Sequence, residues 1–546
     1  MIKVLENEFY YLDNFHRVLA WLGERYADLL DDQERAFIDT FPTLPRPSRA
    51  LLVRMVMRKG ELFRASKLAY REIGCPHAAA LPLAAQGWIE ADPVLDIDAL
   101  CELLLKPELA ALFALTAHEK QWRKAELLDA LRARHPEARA FSAWCGAHDE
   151  QAYRLCVQPL CDRLRLIFFG NGHQSWTDFV LSDLGIYRFE QVDCGPASRA
   201  FRHRADVDAY LALHACRVRV HDGEAPATVL PDLPASSDNP WLQGRRDKLL
   251  FQMAQQQEKL GAWDDAYALY GACAYPGARA RAIRVLEKLE RDDAAYALLD
   301  CAQRAPESEG ERQQLLRIAP RLRRKLGLAK LPAAVAAPVQ RLDLQLPPPS
   351  ADGWHVEGVV REHLQHGDAP VYYVENALIN SLFGLLCWDA VFSAIPGAFF
   401  HPYHHGPADL YSADFRQRRA TQFDACLAQL DDGRYRDTIR RNYGAKAGIQ
   451  SPFVYWGALD AALLDLALDC IPAAHLKKWC ERILLDVKDN CTGFPDLIQF
   501  WPAERRYHMI EVKGPGDRLQ DNQLRWIGYC AQHGMPVAVC YLQWAA

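Results

Sequence analysis

Apolar positions recur at helical spacing from the start of the chain, with Tyr10, Phe15, Val18, Leu19, Leu22, Tyr26 and Leu29 sharing a face up to about residue 45. An apolar helix carrying Arg54, Arg58 and Lys59 follows, then Arg64, Lys67 and Arg71, and Gly87 closes another helix before a short apolar run. Two further helices are predicted over residues 96–135, the second entered through Trp122, Arg123 and Lys124. From 136 to 235, helix-like and strand-like stretches alternate without a clear pattern. Residues 241–327 are helical again, and two segments echo one another, GAWDDAYALY and LERDDAAYALL, with Asp264-Asp265-Ala266 matching Asp292-Asp293-Ala294. Prolines at 332, 338, 347, 348 and 349 break that pattern, so residues 331–353 are predicted to be a linker.

Beyond the linker the period changes to two. Leu497–Trp501 and Tyr507–Val512 are predicted to be the strands of a hairpin around the polar turn Ala503–Arg506. In Ile510–Glu511–Val512–Lys513, alternation puts the two charged residues on one face and the two apolar ones on the other. Gly514, Pro515 and Gly516 end that strand, and Asp517 is predicted to cap a helix whose Leu519, Leu524, Ile527 and Cys530 pack on the sheet. PVAVCYL then returns as a strand. The expectation is a multidomain α+β chain divided as 1–95, 96–235, 236–330, the linker 331–353 and a C-terminal α/β domain 354–546.

At 546 residues the chain is too long for a single core, and its half-apolar, quarter-charged composition is that of a folded globular protein. A net charge of −6 argues against a protein that coats nucleic acid indiscriminately but allows local basic grooves. No run is long enough to span a membrane and the N-terminus has no signal-peptide pattern, so a cytoplasmic protein without membrane contact is expected. The sixteen cysteines are scattered, with no CxxC pair, and read as reduced thiols. His401, His404 and His405 in HPYHHG read as a loop with ordinary polar contacts, ahead of a metal site.

The hairpin matters because it would carry Asp496 to the side of Glu511 and Lys513. An ion pair on a solvated strand explains Glu511 and Lys513 alone. A second carboxylate converging on them makes a site for a hard cation, and Mg²⁺ and Mn²⁺ prefer such oxygen ligands. Pro-Asp followed fifteen positions on by Glu-x-Lys resembles the restriction-endonuclease-like nucleases.

The likeness extends further. FPDL, then EVKGPGDRLQDNQ, is similar to the VRR-NUC domain of the Fanconi-associated nuclease family, and VEGVVREHL (Glu357) and PADLY (Asp409) also look like that family. The upstream order, winged helix, SAP-like helix pair and tetratricopeptide-like repeats, resembles the family architecture. The resemblance implies a third carboxylate, Glu375 in YYVENALINSLFGLLCWDAVF, on a helix. It further implies Mg²⁺ or Mn²⁺ held by Glu375, Asp496, Glu511 and the Val512 carbonyl, with Lys513 holding the attacking water. Gln523, two turns into the last helix, would support that site, and Arg518 would touch phosphate. The implied activity is cutting near 5′ flaps with 5′-to-3′ exonuclease action of the phosphodiesterase I type, in interstrand crosslink repair. The implied partner is branched duplex DNA, met by Arg54, Arg58, Lys59, Arg64, Lys67 and Lys124, which could equally form a solvated basic face. The family's ubiquitin-binding zinc finger needs a CxxC that is lacking here, which suggests a bacterial member. A junction resolvase or general exonuclease with the same core, or a catalytically idle DNA-binding scaffold, are the competing readings.

Overall fold

The computed structural model describes residues 7–146, 150–195, 198–330, 332, 337–349 and 354–545. Two compact units emerge, Met1–Tyr187 with Ala200–Val207, and Arg188–Arg199 with Asp208–Ala546. The chain is a mixed α+β protein, as expected.

In the first unit, the helix Tyr10–Arg25 buries Phe15, Val18, Leu19 and Leu22 of the predicted stripe, with Tyr11 in place of the half-buried Tyr10. Helices Arg46–Val56 and Pro76–Ala85 pack beside a three-stranded antiparallel sheet. Its middle strand, Ala152–Leu155, pairs with Leu62–Arg64 on one side and Ile89–Ala91 on the other. The expected boundary at residue 95 therefore cuts a sheet that is completed from sixty residues downstream, a long-range pairing that no local pattern announces. The intervening chain packs helices Ile97–Leu103, Lys106–Leu112 and Lys124–Arg134 around Leu100, Leu109, Leu127, Leu131 and Phe141, a core that also takes in Ala152 and Leu62 of the sheet.

The second unit opens with successive helices, Pro240–Leu260, Trp263–Gly271, Ala278–Lys288, Asp292–Arg304 and Glu309–Lys325. The structural match is shifted by one from the sequence echo: Ala266 and Ala295 are both wholly buried, where only a small side chain lets the next helix approach, while Ala294 is exposed. The last of these helices is tied to the domain that follows by Arg317 to Asp521 and by the Gly310 N–H to Asp489.

That domain is built on five strands, β1 (Gln340–Leu346), β2 (Val371–Tyr373), β3 (Leu497–Trp501), β4 (Arg506–Lys513) and β5 (Val537–Trp544), in the order β1-β5-β4-β3-β2. β5 runs parallel to both β1 and β4, whereas β3 is antiparallel to β4 and β2. Helix α1 (Val356–Leu364) buries Val360 against Ile510, Val512, Leu497 and Cys540. Helices α2 (Leu378–Leu386) and α3 (Asp521–Gln532) complete the frame of the site.

Two expectations are corrected here. The predicted linker contains β1, whose alternating Leu342, Leu344 and Leu346 were masked by the flanking prolines; its residues 331, 333–336 and 350–353 lie outside the described residues. The last helix begins at Asp521, with Gln520 at its N-cap, while Asp517 instead closes the glycine turn by accepting from the Gly514 N–H at 3.0 Å. The buried face of this helix is Trp526, Ile527 and Cys530, and Leu524 is 41% exposed.

Candidate active site

The β3–β4 hairpin forms as the alternation requires, with Leu497 opposite Ile510 and Trp501 opposite Arg506. It places Asp496, one residue before β3, against the end of β4. Asp496 Oδ2 accepts from the Val512 N–H at 2.8 Å, so the strand backbone aims the carboxylate. Glu511 has no exposed surface and Lys513 is also buried, so the charged face of β4 is covered by protein rather than solvated.

Lys513 Nζ lies 2.7 Å from Glu511 Oε1. Even so, neither Glu511 oxygen receives a hydrogen bond of normal geometry. A buried carboxylate in that condition is costly. Burial pushes the Glu511 carboxyl up from 4.5 to about 8, with Asp496 adding to the shift and Lys513 opposing it. Burial likewise raises Asp496 from 3.8 to about 6 against the Val512 N–H and Lys513, with Glu357 and Glu375 adding to the rise. Glu357, on α1, thus belongs to the same electrostatic neighbourhood.

Glu375 arrives from the opposite edge. It stands in the turn between β2 and α2, three residues before the helix on which the sequence placed it. Its φ of +26° is unusual for a residue with a side chain, and such strain persists only where neighbours fix it. They do: the Val374 and Glu375 N–H groups donate to the Asp496 carbonyl at 2.8 and 3.0 Å. The Glu375 side chain accepts from the Tyr373 hydroxyl at 2.6 Å and from Asn376 Nδ2 at 3.1 Å. Asn376 in turn accepts from the Gly493 N–H at 2.8 Å, tying this turn to the approach to β3. Sequence reasoning overlooked Tyr373 and Asn376, and no local pattern marks them, because Glu375 lies in a turn beyond β2.

Among the described residues, no three His, Cys, Asp or Glu side chains are drawn together tightly enough to hold a metal by themselves. Lys513, Tyr373 and the Val512 N–H each engage one of the three acids. The donor chemistry nevertheless fits a hard divalent cation: all oxygen, largely buried, with neither Glu511 oxygen held in a hydrogen bond of normal geometry.

The remaining candidates divide clearly. Gln523 sits in the first turn of α3, where its Oε1 accepts from the Gln520 N–H at 2.8 Å, which makes it a helix cap. Arg518 is exposed. Arg54 is held by Glu72 at 2.7 Å and lies over the Tyr11 ring, and Arg64 bridges Glu108 and Glu150. Both arginines are therefore committed to internal ion pairs. Arg58, Lys59, Lys67 and Lys124 are exposed, and the first three line a groove of about 630 Å³. His404 accepts from the Phe400 N–H at 3.1 Å and burial pushes it down to about 4, so the HPYHHG loop has the polar contacts expected of it. All sixteen cysteines are free thiols.

Three family models match the chain: the FAN1 HTH domain over residues 9–90, the Fanconi anemia-associated nuclease SAP domain over 94–144 and the VRR-NUC domain over 430–544. Glu357 and Glu375 lie upstream of the last. Over 541 residues the chain is 58% identical to the Fanconi-associated nuclease 1 homolog of Pseudomonas aeruginosa, covering 99% of this chain and 97% of that protein. Identity to Fanconi-associated nuclease 1 of Homo sapiens is 23%, over 98% of this chain and 62% of the human protein. The fold is similar to a crystal structure of paFAN1 bound to DNA with a 2-nucleotide 5′ flap and a gap, at a TM-score of 0.94 and 58% identity over the whole of both chains.

Proposed function

Because the chain belongs to the Fanconi-associated nuclease family, we propose that it hydrolyses phosphodiester bonds of DNA beside 5′ flaps, with 5′-to-3′ exonuclease action of the phosphodiesterase I type at the same site. The observation that carries this reading is the wholly buried Glu511, approached by the Lys513 ammonium at 2.7 Å but receiving no hydrogen bond of normal geometry, beside Asp496. Asp496, Glu511, Glu375 and the Val512 carbonyl would hold Mg²⁺ or Mn²⁺, which when bound polarises the scissile phosphate and acidifies a water.

The protein's own groups do the rest. The Val512 N–H takes up one oxygen of Asp496 and fixes its direction. Lys513 offsets the charge that builds on the phosphate oxygens and positions the attacking water. Tyr373 and Asn376 orient Glu375. Arg518 is exposed, and the role we assign it is a phosphate contact. The role we assign is interstrand crosslink repair on chromosomal DNA, hence in the cytoplasm. No helix among the described residues is long and apolar enough to cross a membrane.

Phosphate contact in the first unit falls to Arg58, Lys59, Lys67 and Lys124, because Arg54 and Arg64 already have carboxylate partners. Replacing Arg58, Lys59 and Lys67 together by alanine is expected to weaken flap-DNA binding and flatten its log–log salt dependence by about 2 to 3. Arg54→Ala or Arg64→Ala is expected to lower the Tm instead. Binding isotherms at several salt concentrations, beside melting curves, separate the two groups.

A direct test compares products on a 5′ flap, a four-way junction and a blunt duplex. Preferred incision near the flap supports the reading. Symmetric junction cutting, or digestion of blunt ends at an equal rate, would replace it with the resolvase or the general exonuclease.

A further inference from the structure

Two exposed aromatic rings stand beside the acid cluster. Tyr411 is 67% exposed and Tyr455 is 47% exposed. Single exposed aromatics are ordinary, but these two are mounted on loops that are held fast. The Tyr455 N–H donates to Ser381 Oγ of α2 at 3.0 Å. The residues before it press directly on that helix: a Cβ at Gly384 would come within 2.7 Å of Phe453 Cβ and 2.9 Å of Val454 Cγ2. Tyr411 follows Asp409, which is clamped by Arg418 and by the fully buried Arg419. The Ser412 N–H and hydroxyl both return to the Asp409 carbonyl, at 2.9 and 2.7 Å.

The two loops also meet: a Cβ at Gly406 would come within 2.9 Å of Pro452 Cγ, and α2, to which the Tyr455 loop is bonded, starts three residues after Glu375. Rigid loops therefore hold two π-faces in solvent next to a proposed cation ligand. Nothing in the hydrolysis itself requires them.

Resting on the nuclease reading above, we propose that Tyr411 and Tyr455 form an aromatic ledge on which an unpaired nucleobase of the cut strand stacks as its backbone enters the acid cluster. Asp496 and Glu511 are buried, so a phosphate that reaches them must lead its nucleotide away from the duplex stack. Aromatic rings receive such a base whatever its sequence, because every base has a π-face. An unpaired base is also what separates a flap from continuous duplex, so the ledge contributes to selecting the structure rather than to the chemistry.

The test uses the full chain, wild type beside Tyr411→Ala, Tyr455→Ala, Tyr411→Phe and Tyr455→Phe. Two quantities are read: steady-state cutting of a labelled 5′-flap duplex, and 2-aminopurine fluorescence of flap nucleotides at the branch, bound in chelator. Each alanine variant is expected to raise KM about 10-fold and to lift the 2-aminopurine quench, with an unchanged Tm because both rings are exposed. The phenylalanine variants are expected to behave as wild type. Alanine variants with wild-type KM and quench overturn the ledge. So do phenylalanine variants as defective as alanine, since the hydroxyls and not the faces would then matter. A wild type that cuts no flap defeats the nuclease reading itself, and the fluorescence in chelator still reports stacking independently.

Discussion

Asp496→Asn is expected to cut 5′-flap DNA at least about 100-fold more slowly than the wild type, yet to melt at the same or a higher temperature in chelator at pH 8. The loss follows from removing a charged oxygen donor from the proposed cation site. The stability follows from the sign of the pKa shifts. Burial raises Asp496 from 3.8 to about 6 and Glu511 from 4.5 to about 8, so the folded protein holds protons that the unfolded chain releases. The stability these groups contribute is complete below about pH 4 and is lost as the pH climbs through about 6 and then about 8. At pH 8 the native state therefore carries buried charge at a cost, and the amide relieves the Asp496 share, on the order of 3 kcal/mol. The asparagine carbonyl still accepts from the Val512 N–H, so the hairpin keeps its pin. Single-turnover rates and melting curves on the same preparations check both halves; a variant that is slow and also unstable would mean Asp496 is needed for folding.

The second large effect is on the cation. Affinity for Mn²⁺ in the absence of DNA is expected to rise about 10-fold per pH unit between pH 6 and 8, about 100-fold in all. Below about pH 8 a cation must displace the proton that burial keeps on Glu511, and above it there is none to displace. Calorimetric titrations at pH 6, 7 and 8, in buffers of different ionisation enthalpy, report both the affinity and the proton released. A flat profile with no proton release would mean that Lys513 already keeps Glu511 ionised, or that Glu511 does not bind the cation.

The center of the site was legible because it is local. Asp496, Glu511 and Lys513 lie on one hairpin, and a period of two is enough to say which residues meet. Glu375 was located only through its family likeness, and its true setting, a strained turn pinned by the Asp496 carbonyl, depends on pairing across more than a hundred residues. β1 was hidden by prolines that flank the strand rather than interrupt it. The strand Ala152–Leu155 belongs to a sheet whose other members precede residue 92, and alternation says nothing about such partners. Side-chain commitments were equally invisible: charge count alone cannot tell Arg54, taken by Glu72, from Arg58, which is exposed and among the described residues meets only the Lys67 carbonyl. Gln523 shows the same limit, since a glutamine three residues into a helix serves its own N-terminus as readily as a neighboring site.

The most direct measurement is cutting of a labelled 5′-flap duplex with Mg²⁺ or Mn²⁺ and with chelator, by the wild type and by Glu511→Gln, with flap binding measured in parallel. The account expects incision near the branch that requires the cation, is lost in Glu511→Gln, and disappears without loss of binding. Incision that persists in chelator, or a Glu511→Gln protein that cuts at the wild-type rate, would contradict it.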